Sequence, residues 1–150
     1  MPRWERTIDI AAPADRVWQV LSDVPRWPDW TDSIETVEGM PASPGVGAEA
    51  VVKARGQASA RWRVTEWNPG HNFTWVTSVR GTKTIGEHAI EPLDAGHSRV
   101  TLAIDARGFA AALFKPLISK GITTNLEMEA NGLDFIFGDD FEAIDVRPDA

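Results

Sequence analysis

A chain of 150 residues with 43% hydrophobic and 25% charged side chains is long enough for one domain with its own core. Its net charge of −7 argues against nucleic acid and anionic lipid as partners, because both are held by clustered basic residues. The absence of cysteine excludes disulfides and thiolate chemistry. The charged N-terminus and the lack of a long apolar run predict a cytoplasmic protein with no stable membrane insertion.

The first thirty residues predict one strand and two short helices. Residues 4–10 alternate between apolar and polar side chains, which is typical of a half-buried strand. Pro13 suits the first turn of a helix, and Val17, Trp18, Leu21 and Val24 provide that helix with an apolar stripe. Residues 26–30 contain a further proline and predict a second short helix or a tight turn.

Residues 33–106 predict an antiparallel meander. Six short alternating runs are separated by turns rich in Gly, Pro, Asn and Asp. The run at 46–54 places small side chains on its inner face, whereas Trp62, Phe73 and Trp75 are bulky inner residues of the next two runs. Small and bulky side chains therefore share the predicted inner face of the sheet.

A helix is predicted from residue 108 to residue 138. Its inner stripe is read from residues that recur at steps of three and four, namely Leu113, Leu117, Gly121, Thr124, Met128, Gly132 and Phe135. Pro116 lacks a backbone donor, which predicts a bend or break there and a hinge over 112–121. Residues 139–150 are acidic and lose the pattern, so we expect a single domain over 1–138 and a loose acidic C-terminal tail.

Three stretches resemble the SRPBCC superfamily, the START or Bet v 1-like proteins, and in particular its polyketide cyclase/dehydrase-like branch. They are IDIAAPADRVWQVLSDVPRWPDW at 8–30, VTEWNPGHNFTW at 64–75 and the helical run at 107–137. The resemblance implies an α+β helix-grip fold, in which a curved antiparallel sheet of about seven strands wraps around a long C-terminal helix. It does not imply one function, because members of the superfamily bind, carry or modify very different ligands.

The resemblance also implies a ligand cavity between the sheet and the long helix. Small residues on both surfaces support a cavity independently, since they leave volume that other side chains must fill. The alternative is a solid core in which Trp and Phe occupy that volume. The residues predicted to bind a ligand are Trp30, Val52, Trp62, Phe73, Trp75, His88, Leu102, Leu113, Leu117, Gly121, Thr124 and Met128.

His88 is the best candidate for a catalytic group. Its ordinary pKa near 6.5 suits acid–base chemistry or a hydrogen bond to a ligand carbonyl, although a histidine satisfied within the core is the alternative. Glu127 and Glu129 are predicted on the solvated edge of the helix. The three histidines lie on separate segments and no glycine-rich phosphate loop precedes a helix, so we predict no metal and no cofactor.

Three functions are compatible with these patterns. The first is binding of a hydrophobic small molecule, such as a lipid, an isoprenoid or an aromatic polyketide. The second is a polyketide cyclase or dehydratase that uses acid and base groups of the cavity. The third is a protein-interaction module without a deep pocket. A homodimer is compatible with the sequence, which does not determine the identity of a ligand.

Overall fold

The chain folds into one antiparallel sheet and a long helix. The computed structural model describes the backbone of residues 3–79, 81–108, 115–138 and 143–149. The strands are β1 Arg3–Ile10, β2 Ile34–Glu38, β3 Glu49–Ala54, β4 Ala60–Asn68, β5 Asn72–Val79, β6 Thr82–Asp94, β7 His97–Arg107 and β8 Ala143–Asp149. The helices are α1 Ala14–Ser22, a 3₁₀ helix Val24–Asp29 and α2 Lys115–Gly138. A curled sheet with this C-terminal helix is the predicted helix-grip fold.

The sheet has the strand order β2-β3-β4-β5-β6-β7-β1-β8. The strands β2 to β7 form a meander, in which a longer loop, 39–48, joins β2 to β3 and short turns join the others. Strand β1 pairs with β7. Gly70 and Gly81 lie in the β4–β5 and β5–β6 turns with φ angles of 81° and 76°, a conformation that other residues adopt only with strain. Alternate residues of the central strands are buried, as the sequence pattern predicts.

The first two helices pack against the sheet and bury side chains in the core. Val17 and Leu21 of α1 are buried, and so is Trp27 of the 3₁₀ helix. The indole N–H of Trp27 donates a 3.0 Å hydrogen bond to the carbonyl oxygen of Leu21. This bond joins the two helices and fixes the position of the Trp27 ring over the sheet.

The predicted bend or break near Pro116 stays a prediction. Helix α2 is described over Lys115–Gly138, so Pro116 lies at the start of the described helix. A bend there could be seen only with the residues that precede it. Residues 109–114, which include part of the proposed hinge, lie outside the described residues.

The predicted inner stripe of α2 agrees only in part with the described side chains. Among these, Leu126, Ala130, Gly132, Leu133 and Phe137 are buried, and Gly132 is the one that belongs to the predicted stripe. Thr124, which was expected to face inward, is exposed, and its hydroxyl donates to the carbonyl oxygen of Lys120 at 2.8 Å. The side chains of Leu117 and Phe135 lie outside the described residues. Successive residues of an α-helix are rotated by about 100° around its axis. Assigning the inner stripe one residue too early or too late therefore selects a different face of the helix.

The segment expected to be a loose tail contains a strand. β8 pairs antiparallel with β1 from Glu5 to Ile10, with one irregularity near Ile10. Without β8, the outer edge of β1 would present unpaired backbone donors and acceptors, which a covering strand satisfies. Pro148 lies within β8, and an edge strand tolerates a residue that has no N–H.

Candidate functional site

A cavity of about 540 Å³ lies between the sheet and α2. This volume is within the usual range of about 300–1,000 Å³ for small-molecule sites. Its lining comes from the 3₁₀ helix, from β2 to β7 and from one face of α2. The side chains on these elements are mainly apolar or aromatic, which suits an apolar occupant.

Six of the twelve residues predicted to bind a ligand line this cavity. They are Val52, Trp62, Trp75, His88, Leu102 and Gly121. The strand alternation placed the first five on the inner face, and the burial of Val52, Trp75, His88 and Leu102 agrees with that assignment. That they contact a ligand stays a prediction.

Four of the other six, Trp30, Phe73, Thr124 and Met128, do not line the described cavity. Phe73 is fully buried and stacks on His88, with ring centroids 4.2 Å apart. Trp30 lies at the junction with α2, Thr124 is exposed and Met128 is half-buried away from the lining. Leu113 lies outside the described residues, as does the side chain of Leu117.

Aromatic side chains fill one part of the concave face and form a wall of the cavity. The ring of Trp75 lies 5.3 Å from that of Trp27 and 5.1 Å from that of Trp62, measured between centroids. Gly86 makes room for this wall, because a Cβ there would lie 2.8 Å from Nε1 of Trp75. The open volume lies beside smaller residues, which are Ala54, Ala58, Ala60, Thr77 and Thr84.

The mouth of the cavity lies where its lining is exposed to solvent. Residues 56–59, in the β3–β4 turn, are exposed, and so are Val79 and Gly121. An ideal Cβ on Gly121 would be 4.0 Å from Nε2 of Gln57, so the helix and the turn approach each other there. A ligand would therefore enter between this turn and the first half of α2.

His88 is neutral over the physiological pH range. Burial lowers its pKa to about 3, because the charged imidazolium loses its hydration, and a backbone hydrogen bond with Phe73 opposes this shift. Its Nδ1 atom is buried without a hydrogen-bond partner in the described part of the chain. With so low a pKa, His88 is a weak base, and the geometry favours a neutral polar contact.

Glu129 faces the cavity, and the prediction that it lies on a solvated helix edge is wrong. The side chain is half-buried, and it lines the cavity together with Asn125 and Leu126. Burial raises the pKa of Glu129 to about 8, so the carboxyl group is largely protonated at neutral pH. The signal for this face was the apolar spacing of Leu126 and Leu133, which brings residues 122, 125 and 129 inward.

The cavity carries little net charge near pH 7. Glu87 also lines it, but its carboxylate pairs with the guanidinium of Arg3. The described ranges contain no group of three or more His, Asp or Glu side chains placed to hold a metal ion. Within those ranges, too, no helix is long and apolar enough to cross a membrane.

Comparison with known proteins places the chain in a family. The family described as "Polyketide cyclase / dehydrase and lipid transport" matches residues 1–134. The chain belongs to this family. The match spans every element described here from β1 to most of α2, including all of the cavity lining. No protein of curated description matches the chain.

Solved structures of similar fold include an enzyme and a START protein. The Zhui aromatase/cyclase from Streptomyces sp. R1128 is 21% identical, with a TM-score of 0.74 over 88% of this chain and 90% of that one. A START superfamily protein from Mycobacterium smegmatis is 17% identical, with a TM-score of 0.72 over 91% of this chain and 97% of that one. A protein from Helicobacter pylori is 13% identical, with a TM-score of 0.77 over 91% and 88%. At these identities the likeness supports the fold.

Proposed function

We propose that this protein binds a neutral hydrophobic small molecule, such as a lipid, an isoprenoid or an aromatic polyketide, in the cavity between its sheet and α2. The observation that carries the proposal is a 540 Å³ cavity with a largely apolar lining. The family description, which includes lipid transport as well as polyketide cyclisation, is compatible with this function.

The chemistry of the lining favours an uncharged ligand. Trp62 and Trp75 offer aromatic faces, and burial of apolar ligand surface stabilises a complex by about 25 cal/mol per Å² before the costs of association. A charged ligand would lose its hydration without gaining a compensating charge, because His88 is neutral and Glu129 is protonated near pH 7. The cavity therefore discriminates by polarity as well as by size.

Equilibrium dialysis with fluorene tests this function. Fluorene is a rigid, neutral tricyclic hydrocarbon, and its partition can be measured without using protein fluorescence. Thr84 lines the cavity, so Thr84→Trp should fill part of it and weaken binding at least tenfold. The matched control is Lys83→Trp on the preceding, exposed position of β6, which should bind fluorene like the wild type. Equal affinity in all three proteins, or no binding to any, would contradict the proposal.

A cyclase or dehydratase is a second candidate, favoured by one observation. A protonated carboxyl group, that of Glu129, opens onto the cavity and could donate a proton to the hydroxyl group of a β-hydroxy ketone, which would leave as water. The carboxylate formed in this way could accept the α-proton of the substrate as the carbon–carbon double bond forms. His88, with a pKa of about 3, contributes little as a base, so this candidate depends on Glu129. Turnover of a β-hydroxy ketone by the wild type but not by Glu129→Gln, with fluorene binding retained in both, would establish it.

The cavity counts against the protein-interaction module. A protein-interaction module needs no deep pocket, whereas both small-molecule functions need one. A packed interior would therefore have contradicted those two functions. The presence of 540 Å³ of space next to Trp62 and Trp75 favours a ligand there.

A further inference from the structure

We propose that Asn125 and Glu129 form a polar strip on α2 that selects ligands bearing a hydrogen-bond acceptor, such as a ketone or ether oxygen. The inference rests on the proposed function, since it specifies the class of molecule that the cavity holds. The helix would form hydrogen bonds with the oxygen of the ligand, and the aromatic wall of the sheet would stack on its rings.

The two side chains are placed to act together. They are four residues apart on one helix, so they lie one above the other on the same face. Both are half-buried and both line the cavity. Among the described side chains of α2, the others that line the cavity are Gly121, Ile122 and Leu126, which offer no side-chain donor. The helix thus presents a narrow polar strip between apolar neighbours.

Both groups lack partners within the described chain. Neither the amide of Asn125 nor the carboxyl of Glu129 makes a hydrogen bond or ion pair with a described residue, and burial alone shifts the pKa of Glu129. A protonated carboxyl has one O–H donor and a primary amide has two N–H donors. Water can satisfy these donors in the empty cavity, but an entirely apolar ligand displaces that water and leaves them unpaired. A ligand oxygen at this position restores the hydrogen bonds.

Among the described ionisable side chains around the cavity, Glu129 is the one expected to change its charge between neutral and alkaline pH. On β6, His88 is already neutral and Glu87 is paired with Arg3. On β1, Arg6 shares the core-facing side with Ile8. On α2 itself, Lys120 and Glu127 are exposed. Ionised Glu129 has no donor, so it would repel the same ligand oxygen that its protonated form binds.

The test compares fluorene with 9-fluorenone, which has the same tricyclic skeleton and one added carbonyl group. Equilibrium dialysis gives a Kd for each probe, and the measured quantity is the ratio of the two values. A change in cavity size alters both Kd values in the same direction, so its effect largely cancels in the ratio. At about pH 6, Glu129→Leu and Asn125→Leu should each reduce the preference for fluorenone about 3- to 10-fold relative to the wild type. The control Glu127→Leu, at an exposed position of α2, should leave the ratio unchanged.

The pH dependence provides a second readout, independent of how well the leucine variants fold, because the wild type is compared with itself. Between about pH 6 and pH 9.5 the wild-type preference for fluorenone should fall about 3- to 10-fold, whereas Glu129→Gln, which retains an N–H donor, should keep its preference at both pH values. Equal ratios in the wild type, Glu129→Leu, Asn125→Leu and Glu129→Gln at both pH values would overturn the inference while leaving the proposed function intact. Failure of both probes to bind the wild type would instead refute the proposed function.

Discussion

The two halves of α2 differ in what they contact, and two glycines show the difference. Gly121, in the first half, is exposed at the mouth of the cavity, and among the described residues a Cβ there would meet only Gln57, at ordinary contact distance. Gly132, in the second half, is buried, and a Cβ there would lie 2.1 Å from the carbonyl oxygen of Trp30. The second half therefore anchors the helix through backbone contact, whereas the first half borders the space that a ligand would occupy.

The largest effect is expected for Gly132→Ala. The added methyl group would collide with the backbone of Trp30, which cannot move without displacing the 3₁₀ helix. We expect a loss of about 3 kcal/mol or more in the free energy of unfolding, despite a gain of about 1 kcal/mol in helix propensity. Urea denaturation measures this difference. A variant as stable as the wild type would show that the second half of α2 is not anchored at Trp30.

The next effect concerns Glu129, at the boundary between the two halves. Its folded-state pKa of about 8 exceeds the ordinary value of 4.5, so between these pH values the folded protein holds a proton that the unfolded chain has lost. Stability should therefore fall as pH rises from about 4.5 to 8, by a few kcal/mol in total. Glu129→Gln should abolish this slope, as measured by urea denaturation between about pH 6.5 and pH 9, whereas the exposed control Glu127→Gln should retain it.

His88 should produce the opposite slope at lower pH. Its pKa falls from 6.5 to about 3 on folding, so the unfolded chain binds a proton in this window that the folded protein does not. Stability should therefore fall as pH drops from about 6.5 to 3, and His88→Asn should reduce that loss. A wild-type profile that is flat below pH 6 would mean that His88 is hydrated in the folded protein.

A smaller effect is expected on the sheet side of the cavity. Gly86→Ala would place its Cβ against the indole of Trp75, whose side chain must then shift. We expect a loss of about 1–3 kcal/mol and an altered near-ultraviolet circular dichroism spectrum. An unchanged spectrum with full stability would show that the aromatic wall is loosely packed at Trp75.

The smallest effect is expected for Gly121→Ala, the counterpart of Gly132→Ala. Within the described part of the chain, the new methyl group meets only Nε2 of Gln57, at 4.0 Å, and alanine favours the helix by about 1 kcal/mol relative to glycine. The variant should therefore gain up to about that amount in urea denaturation. A marked loss would indicate that the first half of α2 packs as tightly as the second.

The sequence pattern predicted the buried face of the central strands correctly. An alternating strand has two faces, and the bulky side chains of Phe73 and Trp75 identify the face of β5 that is buried. The same alternation in β6 places His88 on the buried face. The Gly and Pro turns then determined the order of the meander. The meander and the inner face of its strands were therefore predictable from local chemistry, whereas the helix-grip fold was predicted from the family resemblance.

The helix side was not predictable in the same way. Leu117 and Met128 suggested one face of α2, whereas Leu126 and Leu133 define the face that is buried, and single-helix periodicity does not choose between them. Which face of α2 is buried depends on where the sheet lies. For the same reason, the sequence alone predicts that Glu129 lies in solvent. The pairing of β8 with β1 is similarly remote in sequence, since it joins residues more than 130 positions apart.

Binding of a neutral apolar molecule in the cavity can be observed through the tryptophan indole N–H signals in a two-dimensional ¹H–¹⁵N NMR spectrum. Trp62 and Trp75 line the cavity, whereas Trp18 and Trp67 pack against each other outside its lining. Addition of 9-fluorenone should shift the signals of Trp62 and Trp75 and leave those of Trp18 and Trp67 in place. Shifts confined to Trp18 and Trp67, or no shift at a saturating concentration, would contradict the claim.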